Sequence, residues 1–195
     1  SCSIIEKDTE INDSFSWSGL VKPKGPMVAD RLSLEAFLIA AIEDGLSKDP
    51  SALLPSTIYL VAHFTRADVP GFSDFKDETT RSSLNLDNIR NLFMNVSSDI
   101  KLELSSKNTI ERIHLSIKIR DTMSLAPTGA KSLAAIGDIL GFDKIKIGST
   151  PQEELSIKQN MKEFMSRDWQ TFYDYAIRDA DICTQYTRKM IRLYQ

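Results

Sequence analysis

The chain has 195 residues, of which 42% are hydrophobic and 26% charged, a composition typical of a globular domain that buries its own core. No apolar run approaches the length of a membrane span, and a net charge of −3 argues against a basic, high-affinity nonspecific nucleic-acid binder. Two histidines and two cysteines exclude a His-rich metal centre and a disulfide framework, and the cysteines predict a reducing, cytoplasmic or similar compartment.

The first part of the chain is predicted to contain two strands and one helix. Residues 3–7 and 14–21 have the composition and partial alternation of strands. Ser33 then precedes an amphipathic stretch whose apolar residues run from Leu34 to Leu46, which predicts a helix capped by that serine.

The middle of the chain contains its most regular strand. Thr57–Ala62 (TIYLVA) is continuously apolar and rich in β-branched and aromatic residues, which predicts a strand covered on both faces. Polar residues from His63 to Asp68 follow it, at the end of a parallel strand where α/β proteins usually place their sites. Residues 87–96 are interpreted as a helix, and 99–103 with 112–119 as a hairpin.

The remaining elements complete a mixed α/β layer fold. Asp121 is predicted to act as a cap or turn residue, and residues 131–140 to form a helix that Gly141 ends. Residues 154–166 and 169–194 have helical patterns. We expect a single domain over 1–195. Its start at Ser-Cys and its end within a helical pattern suggest excision from a longer polypeptide.

Five acidic and phenolic residues suggest a metal site. Asp8 and Glu10 would share one face of a strand, Asp68 would follow the neighbouring strand, and Tyr175 and Asp179 lie one helical turn apart. Magnesium and manganese prefer oxygen ligands, and two such ions about 4 Å apart activate water and stabilise the leaving oxygen in phosphodiester cleavage. The pattern therefore favours a two-metal phosphodiester hydrolase.

Three segments carry a resemblance to a known family. Residues 175–186 (YAIRDADICTQY) resemble the third motif of the ribonuclease-H-like 3′–5′ exonucleases that use four acidic residues and a tyrosine. Residues 63–68 (HFTRAD) resemble the second motif, Asn-x3-(Phe/Tyr)-Asp, with His63 in the Asn place and Ala67 in the aromatic place. Residues 119–141 resemble the strand, Asp-Thr and helix that lie between these motifs. The group includes the proofreading domains of family A and family B DNA polymerases.

The resemblance implies a ribonuclease-H-like mixed sheet flanked by helices and a 3′–5′ exonuclease. In such an enzyme Tyr175 would orient the attacking water, and His63 and Phe64 would contact the substrate. The substrate implied is the 3′ end of single-stranded DNA, with RNA not excluded. Further domains of the same polypeptide are the other expected partners, and no membrane is expected. Two Mg²⁺ or Mn²⁺ ions would be held by four carboxylates: Asp8, Glu10, Asp68 and Asp179.

Each site residue also has a structural interpretation. Asp8 and Glu10 can be a solvated terminal pair, and Asp68 can begin the turn Asp-Val-Pro-Gly. Tyr175 can be a core aromatic, and Asp179 a surface acid paired with Arg178 or Lys189.

Two other functions stay open beside the proofreading module. One is a ribonuclease D-like RNA exonuclease, and the other is a catalytically silent exonuclease-like interaction domain. P-loop and Rossmann enzymes are excluded, because the chain has neither glycine-rich motif. The segment between Asp74 and Ile119 is expected to be a helix and hairpin insertion that contacts single-stranded substrate or a partner domain.

Overall fold

The computed structural model describes residues 2–3, 16–17, 19–20, 27, 30–51, 57–77, 86–89, 92–96, 100–105 and 112–194. The chain divides into two compact units, Cys2–Leu125 and Ala126–Gln195, here called the first and second unit. The single-domain organisation stays a prediction. In the described part of the chain, no helix has the length and apolar character needed to cross a membrane.

Helices and strands are mixed along the chain, which confirms the α/β class. The strands are β1 Cys2–Ser3, β2 Ser16–Trp17, β3 Thr57–Ala62, β4 Leu86–Ile89, β5 Leu92–Val96, β6 Ile100–Ser105 and β7 Arg112–Asp121. The α-helices are α1 Leu34–Lys48, α2 Thr65–Asp68, α3 Leu133–Leu140, α4 Pro151–Gln159, α5 Met161–Arg167 and α6 Trp169–Tyr194. Short 3₁₀ turns occur at Val69–Gly71 and Thr122–Ser124.

The described core of the first unit lies where α1 packs on a three-stranded sheet. Strand β7 is central, parallel to β3 and antiparallel to β6. The Ser33 hydroxyl accepts a hydrogen bond from the Ala36 N–H at 3.1 Å, so the predicted helix cap is confirmed. The buried core joins side chains of α1, β7 and the first 3₁₀ turn: Leu34, Leu38, Ile42, Val69, Ile117 and Ile119.

Strand β3 has its predicted bounds but not its predicted burial. Tyr59 is 56% exposed, so the expectation of a strand covered on both faces is wrong. Tyrosine combines an apolar ring with a polar hydroxyl and is often only partly buried, so a continuous apolar run does not guarantee two covered faces.

Residues 87–96 are not a helix. They form the antiparallel strands β4 and β5, in which Leu86 pairs with Val96 and Ile89 with Leu92. The predicted β6–β7 hairpin is confirmed. Because β7 is also the central strand of the sheet, the segment from Asp74 to Ile119 is not simply an insertion. At the N-terminus, β1 pairs antiparallel with β2. Residues 19–20 of the second predicted strand are not in a strand, and the remaining residues of both predicted strands lie outside the described residues.

The second unit is helical where it is described. Helix α3 is capped by Ser132 and ended by Gly141, and α6 extends over 26 residues. Ile136, Ile182 and Tyr186 are almost fully buried and pack α3 against α6. The predicted helix over 154–166 is two helices, α4 and α5, which meet at Asn160. Cys183 is buried, and the reducing compartment stays a prediction.

Candidate functional site

Tyr175 and Asp179 share one face of α6, and one lysine contacts both. The Lys144 Nζ lies 2.9 Å from Asp179 Oδ2 and 4.8 Å from the centroid of the Tyr175 ring. A helix places residues four positions apart on the same face, as the sequence predicted. The partner of Asp179 is neither Arg178 nor Lys189, the two cations expected from the sequence, but a residue 35 positions earlier.

The turn that ends α3 places Lys144 beside this face of α6. Gly141 has φ 65° and ψ 31°, a left-handed conformation that a glycine adopts without strain. The Phe142 N–H then donates to Gly137 O at 2.9 Å, closing the turn. A Cβ at position 137 would lie 2.8 Å from Phe142 O, so this close return of the chain requires glycine there.

Arg178 fixes the segment that carries Lys144. Its guanidinium lies 3.9 Å from the centroid of the Phe142 ring, and its Nη1 donates to Asp143 O at 3.2 Å. Both contacts come from the residue next to Asp179 on α6. The lysine and its carboxylate are therefore held by the same pair of packed segments.

The surroundings of Lys144 favour its charged form. Burial acts against the charge on Lys144, but hydrogen bonds to Asp179 and Tyr175 outweigh it and raise the pKa of the lysine above 10.5. The lysine and Asp179 side chains are 21% and 26% exposed. Asp179 Oδ1 is buried and accepts no hydrogen bond from any described residue. One carboxylate oxygen is thus engaged, and the other faces no donor within the described chain.

A second polar cluster lies in the first unit, at the edge where β3 and β7 end. Because these strands are parallel and Ala62 is opposite Asp121, the residues after both strands meet. Both Asp121 oxygens accept two hydrogen bonds each, all at 2.9 Å, from the Phe64, Thr65 and Met123 N–H groups and the Thr65 hydroxyl. The predicted cap role of Asp121 is confirmed, and its carboxylate also holds the turn after β3.

His63 belongs to the same edge. Its Nδ1 lies 3.0 Å from Thr122 Oγ1, and the Thr122 hydroxyl donates to Ala62 O at 3.2 Å. Since a hydroxyl has one proton, the threonine oxygen accepts from His63, which assigns the proton to Nδ1. The histidine ring is therefore fixed by the backbone of β3.

Phe64 is the one described non-glycine residue with positive φ, at 72°. A bulky residue in this region stores on the order of 1 kcal/mol or more of strain, which the hydrogen bonds to Asp121 offset. Its ring lies 4.5 Å from the Arg66 guanidinium. The strained backbone sits where the sequence predicted substrate contacts, at His63 and Phe64.

Of the four predicted metal ligands, the structure describes two, Asp68 in the first unit and Asp179 in the second. Asp68 is exposed at the end of α2, directly before the 3₁₀ turn Val69–Gly71. This position agrees with its alternative interpretation as a turn residue. Asp8 and Glu10 lie outside the described residues. Among the described His, Cys, Asp and Glu side chains, no three converge closely enough to hold a metal ion. The two-metal site stays a prediction.

Sequence reasoning missed Lys144. A lysine shortly after a helix-ending glycine has no local pattern that distinguishes it from a surface residue. Its role depends on the turn at Gly141, which brings it to α6. The glycine itself was recognisable, but its consequence for residue 144 was not.

Comparison with known proteins gives one relationship. The chain is 28% identical over 185 residues to the primer-independent DNA polymerase PolB of Escherichia coli, a match that covers 89% of this chain and 21% of the polymerase. No family model matches the chain, and no solved structure matches it. The chain therefore spans about a fifth of the length of this relative and is similar to part of a DNA polymerase.

Proposed function

We propose that the chain is a metal-dependent 3′–5′ exonuclease domain of a polymerase-type protein, built on a ribonuclease-H-like fold. It removes nucleoside 5′-monophosphates from single-stranded DNA in a proofreading role. Support comes from the similarity to part of a DNA polymerase and from the Tyr-x3-Asp pair on α6. The parallel β3–β7 pair, with polar residues at its carboxyl edge, is compatible with such a fold.

The observation that carries the proposal is the state of Asp179. Its Oδ2 is paired with Lys144, while its Oδ1 is buried without a hydrogen bond from the described chain. A buried carboxylate oxygen is costly unless something binds it, and a divalent cation is the partner that oxygen ligands suit best. Tyr175, one turn away, places a phenol beside the same carboxylate.

In this proposal Asp179 would hold metal together with Asp8, Glu10 and Asp68. Bound Mg²⁺ or Mn²⁺ supplies an activated water and stabilises the leaving oxygen. Tyr175 orients the attacking water through its hydroxyl, and Lys144 holds Asp179 in place. His63 and Phe64, fixed at the edge of β3, contact the terminal nucleotide.

A catalytically silent domain is the second candidate, and one observation favours it. The Lys144 ammonium already neutralises Asp179, as expected where a former metal ligand has become part of an ordinary ion pair. A silent domain would retain the polymerase relationship and the fold but would neither bind Mn²⁺ at Asp179 nor cleave.

The test is a time course with 5′-labelled single-stranded DNA and Mn²⁺, with and without chelator. Three proteins are compared: the natural chain, Asp179→Ala, and Asp181→Ala as a matched control two residues along the same helix. We expect a ladder that shortens from the 3′ end, with Asp179→Ala slower on the order of a hundredfold or more and Asp181→Ala unchanged.

Binding of Mn²⁺, followed by electron paramagnetic resonance, supplies a readout independent of cleavage. Loss of a bound ion in Asp179→Ala and in Asp68→Ala supports the site. Equal binding in the natural chain and both variants contradicts it. If the natural chain shortens a matched RNA but not DNA, the ribonuclease D-like function replaces the proofreading one. No shortening of either, with no bound Mn²⁺, favours the silent domain.

A further inference from the structure

The C-terminal part of α6 lines a basic cavity that the Tyr175–Asp179 site does not use. The cavity measures about 490 Å³ and is formed by α6 and the end of α3, within the second unit. Arg188, Lys189 and Arg192 supply its charge, and Leu140 and Phe142 supply apolar surface. Among the described residues that line it, none is acidic.

This charge distribution differs from that of the whole chain. The chain has 27 acidic against 24 basic residues, yet three cations meet in the cavity without a carboxylate among its lining residues. Lys189 and Arg192 are three positions apart and therefore neighbours on the helix surface, a spacing at which like charges repel. The negative end of the helix dipole offsets part of this repulsion, and a bound anion would remove more of it.

We propose that this basic cavity binds the phosphodiester backbone of single-stranded nucleic acid. The identity of the polyanion rests on the proposed function, whereas the preference for an anion rests on the cavity itself. Arginine guanidinium groups bind phosphate oxygens in a bidentate manner, and the Gln185 amide adds a further donor at the same wall. The apolar side formed by Leu140 and Phe142 suits the sugar and base surfaces of an unpaired strand.

The basic cavity lies farther along the helix that carries Asp179. Nine residues separate Asp179 from Arg188 on one continuous helix, which corresponds to about 14 Å along the helix axis. Nine positions also correspond to about two and a half helical turns, so Arg188 and Asp179 project from opposite sides of α6. A strand whose backbone lies in the basic cavity would therefore pass around the helix as well as along it to reach the Tyr175–Asp179 face. The cavity would hold the strand, and the face would act on its end.

The experiment measures binding of a 5′-fluorescein-labelled oligo(dT) to the full chain by anisotropy, in chelator so that no cleavage occurs. The variant is Lys189→Gln with Arg192→Gln, both exposed residues of α6. The matched control is Lys162→Gln with Arg167→Gln, an exposed lysine and arginine of α5. Both proteins lose the same two charges, so an unspecific charge effect is equal in the two. Circular dichroism establishes that each is folded.

We expect the cavity variant to bind about tenfold more weakly and the control to bind like the natural chain. The slope of log K against log salt should become shallower by about 1.4, the value for two lost contacts to single-stranded phosphates. Equal affinity and equal slope in the cavity variant overturn the inference, and so does an equal loss in the control.

A poly-glutamate chain of similar length distinguishes an acidic protein segment from nucleic acid. If it competes with oligo(dT) at equal charge concentration, the nucleic-acid occupant is contradicted. The result is also separable from the proposed function. If the cavity variant binds oligo(dT) weakly and the natural chain does not cleave, the cavity inference is supported and the exonuclease function is contradicted. If the natural chain cleaves and the cavity variant binds like it, the exonuclease function is supported and the cavity inference is contradicted.

Discussion

Asp121 and Asp179 are both partly buried carboxylates that follow or lie within regular elements, but their surroundings differ. Asp121 accepts four hydrogen bonds, two at each oxygen, from the turn after β3 and from its own 3₁₀ turn. Asp179 has one ion pair, with Lys144, and a buried Oδ1 without a donor among the described residues. The first is saturated, and the second has one oxygen that no donor of the described chain reaches.

The difference shows that the surroundings of a carboxylate, rather than its residue type, decide whether an oxygen stays available to a ligand. A carboxylate surrounded by N–H donors has no lone pair left for a ligand and stabilises the backbone around it. A carboxylate with an unsatisfied buried oxygen reduces stability unless a ligand binds, and such groups cluster at functional sites. We therefore expect loss of Asp121 to affect folding, and loss of Asp179 to affect ligand binding and cleavage.

The largest effect on stability is expected for Asp121→Ala. The substitution leaves three backbone N–H groups and one hydroxyl without their acceptor and releases the strained turn at Phe64. We expect the free energy of unfolding of the first unit to fall by about 3 kcal/mol. Urea denaturation followed by circular dichroism measures it, with the exposed Asp77→Ala as control. A loss below about 0.5 kcal/mol, the range of neutral surface changes, would contradict the structural role.

Removal of Lys144 is expected to have a smaller effect, because one oxygen of its partner Asp179 already has no donor among the described residues. Lys144→Met leaves both Asp179 oxygens without a cation, and we expect a loss of about 1–2 kcal/mol in the free energy of unfolding. Asp179→Asn in the same background should recover part of this loss. A double-mutant cycle gives the coupling, for which we expect about 1 kcal/mol. Additive single effects would show that the ion pair contributes nothing.

Gly141→Ala tests the turn that brings Lys144 to α6. No atom lies within 4 Å of the added Cβ, so the cost comes from the left-handed backbone alone. We expect about 1 kcal/mol lower stability of the second unit, and about half of that for Gly141→Asn, because asparagine tolerates this conformation better. Thermal unfolding of the two variants measures the order. Equal stability of glycine and alanine at this position would contradict the turn.

The pH dependence of the Lys144 pair gives the smallest effect. The pKa of this lysine in the folded state is raised above 10.5, so its stabilising contribution is complete below that pH and is lost as pH rises through the folded value. Because the group is partly exposed, we expect a change of about 0.5 kcal/mol. The measurement is the stability difference between the natural chain and Lys144→Met from about pH 9 to about pH 12. A difference that stays constant over this range would exclude the lysine as its source.

Local patterns predicted much of the fold correctly because they are read over a few neighbouring residues. Ser33 and the stripe that follows it identify α1, and Gly141 marks the end of α3. The helix prediction for residues 87–96 was wrong because apolar residues recur there at helical spacing: Leu86, Ile89, Phe93 and Val96. Their actual partners lie across a hairpin, with Leu86 opposite Val96, and cross-strand pairing overrides a short periodic pattern.

Patterns within single segments were enough to predict the class of fold, most element boundaries, the cap role of Asp121 and the common face of Tyr175 and Asp179. Each depends on spacing along one segment, which a helix or strand converts directly into geometry. Packing of separate segments set three further features: Lys144 pairs with Asp179, four donors saturate Asp121, and three cations line one cavity with no acid among its described lining residues. These features join residues far apart in sequence, and packing of separate segments, rather than periodicity, sets which charges meet.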